Sequence, residues 1–246
     1  MKQLLIFLTH NFEDVFKETL EKIDASRSDD LDVIVLFDNS GNQNPDIALI
    51  EQFQNIKIVP IQKIPTSYDR LGHTLYLNYF RKNQEELNKY DYVWIIENDV
   101  YFHGNFKTFI NKHNFYKYDL MVPEYGTRAT NWHWMPTLRG FTKIHNIGVM
   151  VAIMRMSKRL LATLLAEIDL SIAGYVEAVL PHICIDHNFS IQCFLPELCG
   201  VITTNKNHPL LKVIKSDIAN KTELFIEKKY TIPSNPVRIV SHSKKS

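Results

Sequence analysis

The sequence predicts an α/β fold, a mostly parallel sheet with helices on both faces, and three observations carry that expectation. Over the first hundred residues, short apolar runs alternate with stretches of helical period in the order β-α-β-α-β-α-β, the pattern of strands joined by crossover helices. The principal apolar runs are nearly continuous, as expected of strands buried on both faces. Polar residues stand where those runs stop: Thr9 and His10, Asp38 and Asn39, Glu97 to Asp99. In open α/β sheets, ligands bind outside the carboxyl ends of the strands.

Residues 4–9 form the first apolar run and read as a buried strand. Residues 12–23 carry Phe12, Phe16, Leu20 and Ile23 at near-helical spacing, with Asn11 placed to cap them. A second buried strand over 32–38 stops at the turn cluster Asn39-Ser-Gly-Asn. A short helix over 46–54, a more exposed strand over 56–61, and a helix over 71–88 rich in Leu, Tyr and Phe follow. The run over 92–96 is the fourth buried strand. The second half is less regular: a short strand at 120–123, a polar and aromatic stretch over 124–146, and an apolar strand over 147–154. A helix over 157–168 has Ser157 as its cap, and residues 173–185 begin as a helix that Pro181 is expected to interrupt. A strand near 198–203 and a mixed basic tail complete the pattern.

The chain has 246 residues, 45% hydrophobic and 22% charged, with no repeats and no Gly/Ser linker. A chain of this size buries about 70–75% of its unfolded surface, so one domain over 1–246 is expected. The formal net charge is +1, which argues against a general nucleic-acid binder. That neutrality hides an asymmetry. Residues 206–246 carry nine Lys/Arg and three acids, a charge of +6, leaving −5 for the first 205 residues. A basic tail on an acidic body points to phosphate or an anionic surface. The three cysteines, Cys184, Cys193 and Cys199, form no C-x-x-C pair, so buried thiols are expected rather than a disulfide framework or zinc site. Five apolar residues in a row near the start are too few for a signal core or a membrane span. The expected location is cytoplasmic, with peripheral membrane contact left open by the basic tail.

Residues 90–102 are the most informative segment. Glu97 and Asp99 alternate just past a strongly apolar strand, so in extended backbone both project to one side. Two such carboxylates repel unless a cation or sugar hydroxyls lie between them, and hard oxygen ligands suit Mg²⁺ or Mn²⁺. The context of this motif, Val93-Trp-Ile-Ile followed by Glu97-Asn98-Asp99, resembles that of the GT-A-type glycosyltransferases, whose D-x-D motif follows a buried strand about a hundred residues into the chain. Glu stands here at the first position of that motif. The resemblance implies a GT-A-like fold, a nucleotide-diphosphate sugar as donor with UDP favoured, and metal-dependent transfer to a glycan or lipid-linked acceptor. It implies that Asp99 binds the metal, that Glu97 or Asn98 contacts sugar or ribose, and that Thr9, His10 and Asp38 hold the nucleoside. Residues 1–103 would then be the nucleotide-sugar half, 104–205 the acceptor half, and 206–246 a basic C-terminal segment.

The same resemblance implies that His242, in Val237-Arg-Ile-Val-Ser-His-Ser-Lys-Lys, returns to the metal, with His208 a weaker candidate. Lys244 and Lys245 would touch the diphosphate. In the 124–146 stretch, Trp132 and Trp134 are flanked by Arg128, His133 and Arg139. Aromatic faces stack on sugars and Arg forks hold anions, which makes Arg128, Trp132, Trp134 and Arg139 acceptor-binding candidates. Transfer with inversion needs a carboxylate to take the acceptor proton. Glu177 is the first choice, a lone acid in an apolar stretch, and Asp186 the second. A non-catalytic relative that binds glycan or a partner is the alternative. A sugar-nucleotide pyrophosphorylase is less favoured, because Leu8-Thr-His-Asn-Phe after the first strand has no glycine.

Overall fold

A computed structural model of the chain describes residues 1–9, 14–38, 52–53, 56–61, 75–97, 100–103, 106–129, 131–170, 172–194 and 225–228. The first half follows the expected alternation: β1 (Gln3–Thr9), α1 (Asp14–Asp24), β2 (Leu31–Asp38), β3 (Lys57–Ile61), α2 (Leu75–Lys82) and β4 (Tyr92–Glu97). Next come β5 (Val100–His103), α3 (Phe106–His113), β6 (Leu120–Val122), β7 (Glu124–Thr127), β8 (Ile147–Met150) and β9 (Ile153–Ser157). The helices α4 (Lys158–Leu170) and α5 (Val176–Asp186) lead to β10 (Ile191–Cys193) and β11 (Phe225–Lys228). The expected cap at Asn11, the strand near 198–203 and all of the expected helix over 46–54 except residues 52–53 lie outside the described residues; residues 52–53 are not helical.

The centre is a seven-stranded sheet in the order β10-β6-β9-β4-β1-β2-β3. Six strands run parallel, and β9 runs against its neighbours β4 and β6. Successive side chains alternate between the two faces. Leu4, Ile6, Leu8, Val93 and Ile95 therefore join Tyr76 and Phe80 of α2, Leu160 and Leu164 of α4, and Val179 and Ile183 of α5. On the other face, Leu5, Phe7, Trp94 and Ile96 meet Leu20 and Ile23 of α1 and Phe106 and Phe109 of α3. Each such side chain contributes about 1.5–3 kcal/mol on full burial. The predicted mostly parallel sheet with helices on both faces is the observed architecture. No helix among the described residues is long and apolar enough to cross a membrane.

Four expectations are corrected in detail. The helix read over 71–88 breaks at Asn83: α2 stops at Lys82, Asn83 takes a non-helical conformation, and a four-residue helical turn, Gln84–Leu87, follows; the Asn83 side-chain amide donates to the Tyr79 carbonyl at 2.8 Å. Side-chain donors of this kind compete with the backbone ladder. The apolar run at 147–154 is two strands. β8 pairs with β7 in a small antiparallel sheet, whereas β9 enters the main sheet after a break at Val151–Ala152. The 124–146 stretch is accordingly a strand, β7, followed by a loop that contains a 3₁₀ turn, Met135–Thr137. Pro181 lies inside α5 without ending it. Proline removes a backbone donor at a cost of about 3 kcal/mol, and Val179, Leu180, Ile183 and Cys184, all wholly buried, hold the helix through it.

Of the cysteines, Cys184 is buried and Cys193 partly so, both as free thiols, and burial pushes the Cys184 thiol up in pKa. Cys199 lies outside the described residues.

Candidate functional site

The carboxyl ends of β1, β2 and β4 finish side by side. In register, Glu97 stands opposite Leu8, Thr9 opposite Phe37, and Asp38 opposite Ile61. The alternation then divides these residues between the two faces. Glu97 continues the series Val93, Ile95, and Asp38 continues Ile34, Leu36, so both belong to the face covered by α2, α4 and α5. Thr9 continues Leu5, Phe7 and belongs to the opposite face. The structure thus brings the three to one edge but not to one side of it. His10, Asn98, Asp99, His208, His242 and Lys244 lie outside the described residues.

Glu97 is 5% exposed, a carboxylate at the last position of a wholly buried strand. Its backbone N–H donates to the Ala152 carbonyl at 3.0 Å, which carries the edge of β4 across to the link between β8 and β9. The first turn of α2 lies toward the same carboxyl edge, because the chain runs from α2 on to the amino end of β4. There Tyr76 is 0% exposed. Burial first, and then the charge of Glu97, push its phenol well above the usual tyrosine range.

The small sheet lies at this edge too. β7 leaves the carboxyl end of β6, and β8 returns to the start of β9 beside the end of β4. Arg128 donates to Glu124 at 2.5 Å and lies 5.4 Å from the Trp132 ring centroid. Trp132 packs so closely on Gly148 that a Cβ there would lie 2.5 Å from the ring. Trp134 stacks on Tyr175, with ring centroids 3.5 Å apart and planes 6° from parallel. The Tyr175 N–H donates to the Thr137 hydroxyl at 3.0 Å. Arg139 exchanges backbone hydrogen bonds with Ala173, and its guanidinium donates to the Pro136 and Leu138 carbonyls. Arg128, Trp132, Trp134 and Arg139 therefore tie the 128–146 loop to β7, β8 and the start of α5. One face of Trp134 is already covered by Tyr175.

Glu177 stands in the first turn of α5, half-buried, two residues past Tyr175. Asp186 is the last residue of the same helix and is exposed. At the α-helical rise they are about 14 Å apart, so the two choices for a base do not serve one position. A further anchor is His182, wholly buried in α5. Its Nδ1 pairs with the Ala178 carbonyl at 2.7 Å, and its Nε2 accepts the His145 N–H at 2.9 Å. That pair of partners selects the neutral ring, and burial lowers its pKa. Sequence reasoning passed over Tyr175, although it precedes Glu177 by two residues. It also passed over Tyr76, which no local pattern distinguishes from the apolar residues around it.

A divalent cation suits the chemistry of a strand-end carboxylate such as Glu97. Among the described residues no group of three or more His, Cys, Asp or Glu could hold a metal; the other two expected ligands, Asp99 and His242, are outside them. β11 pairs antiparallel with β5, Lys228 opposite Val100 and Phe225 opposite His103. The C-terminal segment thus returns to the chain that directly follows Glu97-Asn98-Asp99.

Comparison with solved structures places this architecture. The apo-form glycosyltransferase GlyE of Streptococcus pneumoniae TIGR4 superposes with a TM-score of 0.50 at 12% identity, over 97% of this chain and 57% of that one. The fold is GT-A-like. A 4-diphosphocytidyl-2C-methyl-D-erythritol synthase from Anaerococcus prevotii DSM 20548 gives 0.48 at 11% identity, over 78% and 87% of the two chains. Residues 1–349 of S. aureus TarS give 0.37 at 17%, over 66% and 49%. At 12% identity the likeness to GlyE is one of fold, and the chain spans a little over half the length of GlyE. No family model and no curated protein matches the sequence.

Proposed function

We propose that this protein is a glycosyltransferase that moves a sugar from a nucleotide-diphosphate sugar, UDP favoured, to a glycan or lipid-linked acceptor. The observation that carries the reading is the position of Glu97-Asn98-Asp99. Glu97 is a buried carboxylate at the end of a central parallel strand, and the basic C-terminal segment pairs with the residues that follow the motif. The GT-A-like fold supports it.

In this reading His10 and Asp38 hold the nucleoside, Thr9 standing at the same strand edge on the opposite face, and Glu97 and Asn98 orient the sugar or ribose through its hydroxyls. Asp99, with Glu97 and His242, would hold a Mn²⁺ or Mg²⁺ ion, which when bound would neutralise charge on the diphosphate leaving group. Lys244 adds positive charge there. Glu177 takes the acceptor hydroxyl proton while the acceptor oxygen bonds to the anomeric carbon and the nucleoside diphosphate departs, which inverts the centre. The 128–146 loop, fixed by Arg128, Trp132, Trp134 and Arg139, forms the acceptor side next to Glu177.

The test is titration of UDP into the protein with Mn²⁺, followed by donor hydrolysis. The wild-type chain is expected to bind, and Asp99→Ala to lose binding by about tenfold or more, the loss of one charge-assisted contact. Donor binding and hydrolysis unchanged in Asp99→Ala would refute the metal assignment.

A further inference from the structure

Tyr76 has a hydroxyl that the fold leaves without a partner. The residue is 0% exposed, and its hydroxyl makes no hydrogen bond among the described residues. Burying an O–H group without an acceptor forfeits its hydration for no return. Phenylalanine would fill the same space without that loss. Tyr90, a buried tyrosine of the same core, shows the ordinary outcome: its hydroxyl donates to Asp32 at 2.8 Å. Tyr76 differs in where it stands. It is in the first turn of α2 at the carboxyl edge of the sheet, on the face that Glu97 shares.

We propose that Tyr76 is a positioning residue of the nucleotide-sugar site: when the donor binds, its hydroxyl donates to the Glu97 carboxylate and fixes the direction in which that carboxylate meets the ligand. The inference rests on the donor-site reading above and adds to it a residue from outside the strand-end motif. A phenol donating to a carboxylate is a charge-assisted hydrogen bond, short and directional. No hydrogen bond joins the Tyr76 hydroxyl to the Glu97 carboxylate in the structure. In the proposed bound state the Glu97 side chain turns toward a ligand hydroxyl and presents one of its oxygens to the phenol. The cost of keeping the O–H buried is then recovered in the bound state alone, where it serves discrimination rather than stability.

The experiment compares the wild-type chain, Tyr76→Phe, Glu97→Gln and the double variant, by thermal unfolding without ligand and by calorimetric titration with UDP and Mn²⁺. Tyr76→Phe is expected to unfold at the wild-type temperature or higher and to bind UDP about tenfold more weakly, as loss of a hydrogen bond to a charged group implies. In the Glu97→Gln background the same substitution is expected to change affinity by less than about twofold, because the two residues act as a pair. Equal affinity of wild-type and Tyr76→Phe overturns the proposal. So does a loss of affinity that accompanies a loss of stability and persists undiminished in the Glu97→Gln background. A wild-type chain that binds no nucleotide overturns the donor-site reading itself, and this inference with it.

Discussion

Asp119 illustrates how one side chain can join several elements. It is 2% exposed and accepts from Arg159 at Nε and Nη2, from the Ser157 hydroxyl, and from the Ser190 hydroxyl and backbone N–H. Burial by itself would raise its pKa; these donors outweigh burial and hold the carboxyl down at about 2. The folded value lies below the ordinary one, so the stabilisation is complete above about pH 5 and is lost as the pH falls through the folded pKa. Asp119→Asn is expected to cost about 2–3 kcal/mol at pH 7 in urea unfolding, and its stability is expected to decline less than wild-type between about pH 5 and pH 2. Equal acid sensitivity in the two proteins would contradict this. None of that network was legible in the sequence, where Asp119 follows Tyr118 in an unremarked turn and its partners lie 38 to 71 residues away. Arg155 was hidden for the same reason. It is a charged residue in an apolar run, yet it is wholly buried, donating to the Tyr116 carbonyl and lying 3.6 Å over the Tyr92 ring. Burial brings its pKa down to about 10.

At the scale of elements, legibility followed the length of the pattern. β1, β2 and β4 are six to eight residues long with six or seven of them buried in each, and such runs announce themselves. The Ser157 cap was also readable: its hydroxyl accepts the Leu160 N–H at 3.2 Å, three residues into α4. Three-residue strands such as β6 and β10 have no room for a period, and β10 was missed. The break between β8 and β9 is set by two competing partners, β7 and β4, which local sequence does not reveal. Gly148 is the residue that fixes this junction, because Trp132 occupies the space where its side chain would be. Gly148→Ala is expected to displace the indole, to cost about 1–3 kcal/mol as overpacking does, and to speed proteolysis within the 128–146 loop. Limited proteolysis and tryptophan fluorescence check this; an unchanged emission spectrum and cleavage rate would show that the indole does not depend on Gly148.

For the whole molecule, the division of charge acquires a structural meaning. The first 205 residues carry −5 and the remainder +6, and β11 sets part of that basic segment along β5, next to the motif that the proposed site uses. Among the described residues, those that build the two cores lie within 4–194. Removing residues 206–246 is expected to leave a cooperatively unfolding protein with a melting temperature within a few degrees of wild-type. The same truncation is expected to weaken UDP affinity about tenfold or more and to flatten its dependence on salt, because screened lysines no longer contribute within a Debye length of about 8 Å. Lys244→Ala with Lys245→Ala separates the two contributions of the tail. If charge dominates, the double substitution reproduces the flattened salt dependence of the truncation. If the pairing of β11 with β5 dominates, by holding the chain that follows the motif in place, the double substitution keeps wild-type affinity while the truncation loses it. A truncated chain that binds UDP as wild-type does, at every ionic strength, would remove the tail from the site.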